Sequence, residues 1–525
     1  MTPRLEPAVR RRRSFAAVSE RDACGTGFVA DAEGRAGRHI IEAALEALCR
    51  VRHRGAVAAD AKTGDGAGLL LPVPGRFLAH ELEASQRLPG LDPGRLGVAM
   101  LFVFDRSPAH ELRRIVQAAC AAEHVEVVAW RTVPTDARAL GAYALETMPR
   151  ILQAILLRPA ELSDQDAERL THRARRRAEA LARSRGRAVY FPSFSFLSVT
   201  YKALVSSDQL AEFYPDLQDP LVDGHFAVFH QRYSTNTMPT WHRAQPFRML
   251  CHNGEINTLA GNVNRMRSRE GRLGKFSLLD EEVLRPVIDE DGSDSAMLDN
   301  VAEMLTREGQ FPDESRDVRH AMAMLVPAAW EGALDLDEEV RAFYRWSASV
   351  MEPWDGPAAL IFTDGTRVGA VLDRNGLRPM RWAVCDDGFI GCASEAGAVE
   401  VTGHGKVRRG KLGPGQMVFV DPADGGFQTN PLHRVANGRP YAAWLAEERL
   451  EQPSGEPAVE IPEDLERLQV VHGYTREELL LILKPTVASG KEPSFSMGDD
   501  TPIPPLARYP RPLYAFFKQR FAQVT

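Results

Sequence analysis

The chain has 525 residues, 44% of them hydrophobic and 26% charged, an ordinary globular composition with length enough for three or four domains. Its 64 basic and 71 acidic residues leave a net charge of −7, which speaks against nucleic acid or an anionic membrane surface as a partner, and no apolar run reaches the roughly 18 residues of a membrane span. The six cysteines, Cys24, Cys49, Cys120, Cys251, Cys385 and Cys392, are scattered without a C-x-x-C pair, which disfavours a zinc or iron–sulfur site and reads as reduced thiols of a cytoplasmic protein.

The first 23 residues are basic, with Arg4, Arg10–Arg13 and Arg21. An export signal needs an apolar segment of about 7–15 residues after its basic start. Here Ser14-Phe15-Ala16-Ala17-Val18 runs at once into Ser19-Glu20-Arg21-Asp22, so the leader reads as a disordered tail or, more sharply, as a propeptide over 1–23. Gly25 to Ala30 reads as a buried strand. Residues 38–52 carry apolar positions at helical spacing. Thr63-Gly64-Asp65-Gly66-Ala67-Gly68 is a glycine loop with no following Gly-Lys-Ser/Thr, so it is expected to turn the backbone tightly beside a site rather than cradle a phosphate.

Strands are predicted at Gly97 to Phe104 and Val125 to Trp130, with a helix over 108–122 between them. A charged helix over 163–186 carries Arg173, Arg175, Arg176, Arg177, Arg183 and Arg185. Interleaved Glu168 and Glu179 favour a solvated face over a nucleic-acid surface. Further strands are predicted at 188–196, 198–205, 225–231 and 246–251, and a helix starts at Asp294. Later strands are predicted at 358–363, 368–372, 388–392 and 416–420. This mixture without βαβ alternation indicates an α+β layered domain over 24–425. Residues 426–462 read as a linker, with helices over 440–450 and 463–485, and a last helix begins near Pro512.

The residues that could carry chemistry form two groups. A lone Cys24 is weak evidence, since cysteine is most often a small buried hydrophobe. An N-terminal cysteine would differ, because its own α-amino group, with a pKa of about 7.7–8.0 against about 8.5 for the thiol, can take the thiol proton. The second group is His252-Asn253-Gly254-Glu255-Ile256-Asn257. An Asn-Gly after a strand is commonly a hairpin turn, but it also sets an amide and a bare N–H side by side, which suits an oxyanion.

Cys24-Gly25-x-Gly27-Phe28, Arg54-Gly55, Arg232-Tyr233-Ser234-Thr235 and His252 to Asn257 occur in this order. They resemble the class II glutamine amidotransferases, which are N-terminal-nucleophile hydrolases. Lys62 to Gly68, Ser293 to Ala296, Glu352 to Ala359 and Leu372 to Pro379 narrow the resemblance to the glutaminase domain of the glutamate synthase large subunit. The likeness runs from Cys24 to Thr525, with 463–525 similar to the start of that family's central domain.

The resemblance implies a four-layer αββα sandwich followed by an incomplete α/β segment. It implies Cys24 as mature N-terminus and nucleophile, Asn253 and Gly254 as the oxyanion hole, Arg232 on the α-carboxylate of L-glutamine and Asp294 on its α-ammonium. Thr235 would add a hydrogen bond and Arg54 would support the N-terminal segment. Flavin mononucleotide and an iron–sulfur cluster would belong to a synthase region beyond this chain. A synthase-domain chain and an electron-donating small subunit would be partners, whether this chain is a fragment, a truncated gene or a split subunit. Cys251, Arg265 and Ala203 depart from the family's usual residues, and Cys251 adjoins the oxyanion segment. The alternatives are another class II amidotransferase, serving a different ammonia acceptor, or a non-catalytic partner subunit that keeps its leader.

Overall fold

The computed structural model describes residues 24–105, 108–232, 238–273, 285–308, 316–333, 336–432, 439–447, 461–491, 493, 502–508 and 513. The expected propeptide, Thr235 and nearly all of the expected final helix lie outside them. The first half of the chain contributes β1 (Gly25–Asp31), α1 (Arg38–Arg50), β2 (Ala67–Pro72), α2 (Gly75–Gln86), β3 (Leu96–Val103) and α3 (Ala109–Ala122). It continues with β4 (Glu126–Thr132), β5 (Arg150–Leu157), α4 (Asp164–Ser184), β6 (Val189–Ser195), β7 (Ser198–Ala203) and β8 (Phe226–Gln231). The second half contributes β9 (Leu250–Gly254), α5 (Leu259–Leu273), α6 (Asp294–Arg307), α7 (Val318–Leu325), α8 (Glu338–Val350), β10 (Ala358–Thr363) and β11 (Val368–Leu372). It ends with β12 (Arg381–Cys385), β13 (Phe389–Ala393), β14 (Val407–Lys411), β15 (Met417–Asp421), β16 (Gly426–Thr429), α9 (Tyr441–Glu447) and α10 (Leu465–Val471).

Two antiparallel sheets face each other. The first has the order β14-β12-β13-β1-β8-β2-β7 and the second β16-β15-β11-β10-β9. Phe28, Leu70, Val228 and Ile390 of the first meet Cys251, Ile361, Ala370 and Val418 of the second in one buried cluster. The alternate residues Val29, Leu69 and Phe229 point to the opposite face, where Ile40, Ile41, Ala44 and Leu48 of α1 cover them. On the outside of the second sheet Leu360, Phe362 and Phe419 pack against Leu298, Val301, Met322 and Phe343 of α6, α7 and α8. This is the expected αββα layering, and covering both faces explains why the central strands read as continuous apolar runs.

A third sheet, β4-β5-β3-β6, was not foreseen as a separate layer. Helices α3 and α4 cover one of its faces with Ile115, Val116, Ala174 and Ala178, and Phe77, Leu78 and Leu82 of α2 lie against Met100 and Phe102 on the other. The arginine-rich α4 is not the solvated face its charge pattern suggested. Arg175 and Arg176 are buried. Arg175 bonds Glu303 of α6 at 2.6 Å, Arg173 and His172 both bond Glu308, and Glu168 takes Arg307 at 2.9 Å. The helix is bound to α6 by paired charges, which satisfy one another where an isolated buried arginine would be costly.

The expected domain boundary near 425 falls short. Strand β16 completes the second sheet along β15, and Tyr441 and Trp444 of α9 pack into the cluster of α7 and α8, so the first unit runs to Ala446. The second unit, Glu447–Thr525, was expected to begin with one helix over 463–485. Instead α10 stops at a turn where Gly473 has φ +78°, and a second helical stretch over 476–489 starts from a Thr475–Glu478 capping box.

Candidate active site

Cys24 sits half-buried at the entry to β1, which lies between β13 and β8 in the middle of the first sheet. The glycines after it are packing residues. A Cβ at Gly25 would strike Val51 and Arg54 behind the strand, and one at Gly27 would overlap the Phe229 ring and Cys392 O. On the facing sheet β9 ends in Asn253 and Gly254. The backbone N–H of Cys24 donates to Asn253 Oδ1 at 3.2 Å. That bond holds the amide oxygen at Cys24 and leaves the two Nδ2 donors for other partners. Gly254 has φ +147°, and a Cβ there would overlap Pro357 O, so no other residue fits this position.

The turn after Gly254 is held from below. Pro357 O accepts Glu255 N at 3.2 Å and Asp355 O accepts Asn257 N at 2.7 Å. Asp373, just past β11, accepts Ala358 N at 3.0 Å and Asn375 N at 2.9 Å. The motifs at 352–359 and 372–379 therefore form a cradle for the Asn253-Gly254 turn.

Arg232 follows β8 and is buried, its N–H bonded to Gly66 O at 2.8 Å. Burial lowers its pKa, opposed by Cys24, Asp65 and Asp294, which places each of these three within electrostatic reach of Arg232. Asp65 comes from the glycine loop, which does border the site as expected. Asp294 opens α6 behind an Ser293 N-cap. Its carboxylate accepts Ile256 N at 2.9 Å and Ser295 N at 2.7 Å, so it also ties the helix to the turn after Gly254. Arg54 forks onto Glu395 at 3.1 and 3.3 Å. The neighbouring Ser394 exchanges bonds with Thr26 at 2.8 and 3.2 Å, so this pair braces β1.

Burial pushes Cys251 and Cys120 up to about 12 and raises Cys49, Cys385 and Cys392 as well, making all five poor nucleophiles. His230, on β8 beside Thr26, donates from Nε2 to His252 O at 3.1 Å, and burial lowers its pKa to about 3, too weak a base to hold a proton at neutral pH. Asp65, Asp355, Asp373 and Glu395 support the site without having been singled out in the sequence. Asp65, Asp355 and Asp373 lie inside recognised motifs and Glu395 in none, and partners such as Arg54 for Glu395 are far away in the chain.

A family model described as glutamine amidotransferases class-II matches residues 24–444, and one described as glutamate synthase central domain matches 467–525. Ferredoxin-dependent glutamate synthase 2 of Synechocystis sp. is 40% identical over 519 residues, covering 97% of this chain and 33% of the relative. The NADPH glutamate synthase large chain of Bacillus subtilis is 38% identical over 514 residues, covering 96% and 33%. The rice chloroplastic ferredoxin-dependent enzyme is 41% identical over 520 residues, covering 97% and 32%. The chain thus spans about a third of the length of the curated relatives it matches.

Proposed function

The chain belongs to the class II glutamine amidotransferases, as the homologue of the glutaminase part of glutamate synthases, and on that footing we propose that it hydrolyses L-glutamine to L-glutamate and ammonia through a γ-glutamyl thioester on Cys24. The observation that supports the reading is the bond from Cys24 N–H to Asn253 Oδ1 at 3.2 Å, which brings the proposed nucleophile's residue beside the proposed oxyanion amide across two sheets.

In this mechanism the matured Cys24 amine takes the thiol proton, and the thiolate attacks the γ-carbonyl carbon. Asn253 Nδ2 and the Gly254 N–H hold the oxyanion. The intermediate collapses, the carbon–nitrogen bond breaks, and the Cys24 ammonium returns its proton to the departing ammonia. The amine then activates water, which cleaves the thioester and releases glutamate. Arg232 grips the α-carboxylate with its fork and Asp294 takes the α-ammonium. Thr235 adds a hydrogen bond to the carboxylate, and Arg54 braces the N-terminal strand.

Ammonia is destined for 2-oxoglutarate at a synthase region outside this chain, which works with an electron-donating subunit. We assign the flavin and the iron–sulfur cluster to that region. Among the described residues no group of three or more His, Cys, Asp or Glu is set to hold a metal ion, and the cysteines form no disulfide. The proposed location is the cytoplasm; no described helix is long and apolar enough to cross a membrane. Cys24→Ser is expected to lower ammonia release more than about a thousandfold. Ammonia release at the unsubstituted rate would overturn the thioester.

A further inference from the structure

One pleat along from the Cys24–Asn253 contact lies a second contact between the same two strands. Cys24 and Thr26 are two residues apart on one strand, Cys251 and Asn253 two apart on the other, so each pair shares a face. Thr26 Oγ1 lies 2.9 Å from Cys251 Sγ and 3.3 Å from Phe229 O. The carbonyl can only accept, so the Thr26 hydroxyl gives it its one proton, and the Cys251 thiol must be the donor to Thr26. Both side chains have 0% exposure. Burial pushes the Cys251 thiol up to about 12, so it keeps the proton that it donates.

A hydrogen-bonded chain therefore runs from Cys251 of β9 through Thr26 of β1 to Phe229 of β8. Around it the two sheets meet through apolar side chains, among them Phe28, Ile361 and Val228. Dispersion contacts tolerate sliding of one sheet over the other, whereas a hydrogen bond has a preferred length and direction. We infer that Cys251 is a positioning residue for the oxyanion hole: through Thr26 it sets the height at which β9 presents Asn253 and Gly254 to Cys24. The inference rests on the reading of Cys24 as nucleophile and of Asn253-Gly254 as oxyanion donors. It concerns the reacting carbonyl and not the grip on the amino-acid end of glutamine, which belongs to Arg232 and Asp294.

The test uses the full chain matured at Cys24 and two readouts: ammonia release, and the rate at which a diazo-ketone analogue of glutamine labels Cys24. Cys251→Ala and Thr26→Val are each expected to lower kcat and the maximal labelling rate about tenfold, since small misplacements of reacting groups are costly. KM for glutamine should stay within about twofold, because the loss falls on the transition state. The double variant should be no worse than either single one, as expected of one shared link. Cys251→Ser, which keeps a donor, should recover most of the rate. An unchanged kcat in Cys251→Ala, a KM that rises in step with the loss, or multiplicative losses in the double variant would overturn the inference. If Cys251→Ala does not fold, Thr26→Val decides, and its unchanged rate would overturn the inference. Failure of the analogue to label Cys24 in the unsubstituted chain would overturn the thioester reading itself, and this inference with it.

Discussion

Arg232 is the residue on which substrate selection turns in this account. Its guanidinium is buried and shares its surroundings with Cys24, Asp65 and Asp294. A forked charge-assisted pair with the α-carboxylate contributes most where water is excluded. Arg232→Ala is therefore expected to raise KM for glutamine about a hundredfold while kcat changes far less. Lysine at this position should recover only part of the affinity, since it lacks the planar fork. An unchanged KM would contradict the substrate assignment. At this scale a motif names a residue type, and Cys24, Asn253, Gly254 and Arg232 each stand out in the sequence as candidates. Asp294 was legible as an acid but not as the acceptor of Ile256 N and Ser295 N. Asp65 and Cys251 acquire their roles only from strands that meet across more than a hundred residues of chain.

Among the elements, β9 and the turn beyond it hold the closest tolerance. Gly254 stands at φ +147° with Pro357 O where a Cβ would be, and Gly356, at φ +157°, faces Glu255 O in the same way. Gly254→Ala keeps the backbone N–H, but its Cβ would overlap Pro357 O and push that donor out of line, so it is expected to lower kcat by about a hundredfold or more. A fully active Gly254→Ala would remove Gly254 from the oxyanion hole. The strands β1, β3, β8, β10, β11, β13 and β15 were readable because burial on both faces leaves a continuous signal, whereas β5, equally apolar and buried, is not among the predicted strands. Strand β14, Val407-Arg408-Arg409-Gly410-Lys411, was not, because it is a charged edge strand with little burial. Helix α4 was readable as a helix, but whether its arginines face water or acids depends on α6, which pattern alone does not supply.

For the whole molecule, the αββα layering followed from the motifs, while the limit at Ala446 needed the pairing of β16 and the packing of α9. The same layering makes stability depend on pH. Burial lowers the pKa of His230 to about 3, of His242 to about 4 and of His320 to about 3. Their folded values lie below the unfolded value of about 6.5, so the native state stays neutral while the unfolded chain takes up protons. The stability these groups confer is present above about pH 6.5 and is lost as pH falls toward 4, at about 1.4 kcal/mol per pH unit for each. Calorimetric unfolding at pH 5 should show uptake of about three protons or more, and a melting temperature that is flat from pH 6.5 to 5 would contradict this burial. The central claim is that Cys24 is at once an exposed N-terminus and the nucleophile. Its most direct test is mass spectrometry of the active protein after treatment with a diazo-ketone analogue of glutamine. The predicted result is a polypeptide that begins at Cys24 and carries a single adduct on that residue; active protein that retains Met1 to Ala23, or that carries its adduct on another cysteine, would contradict the account.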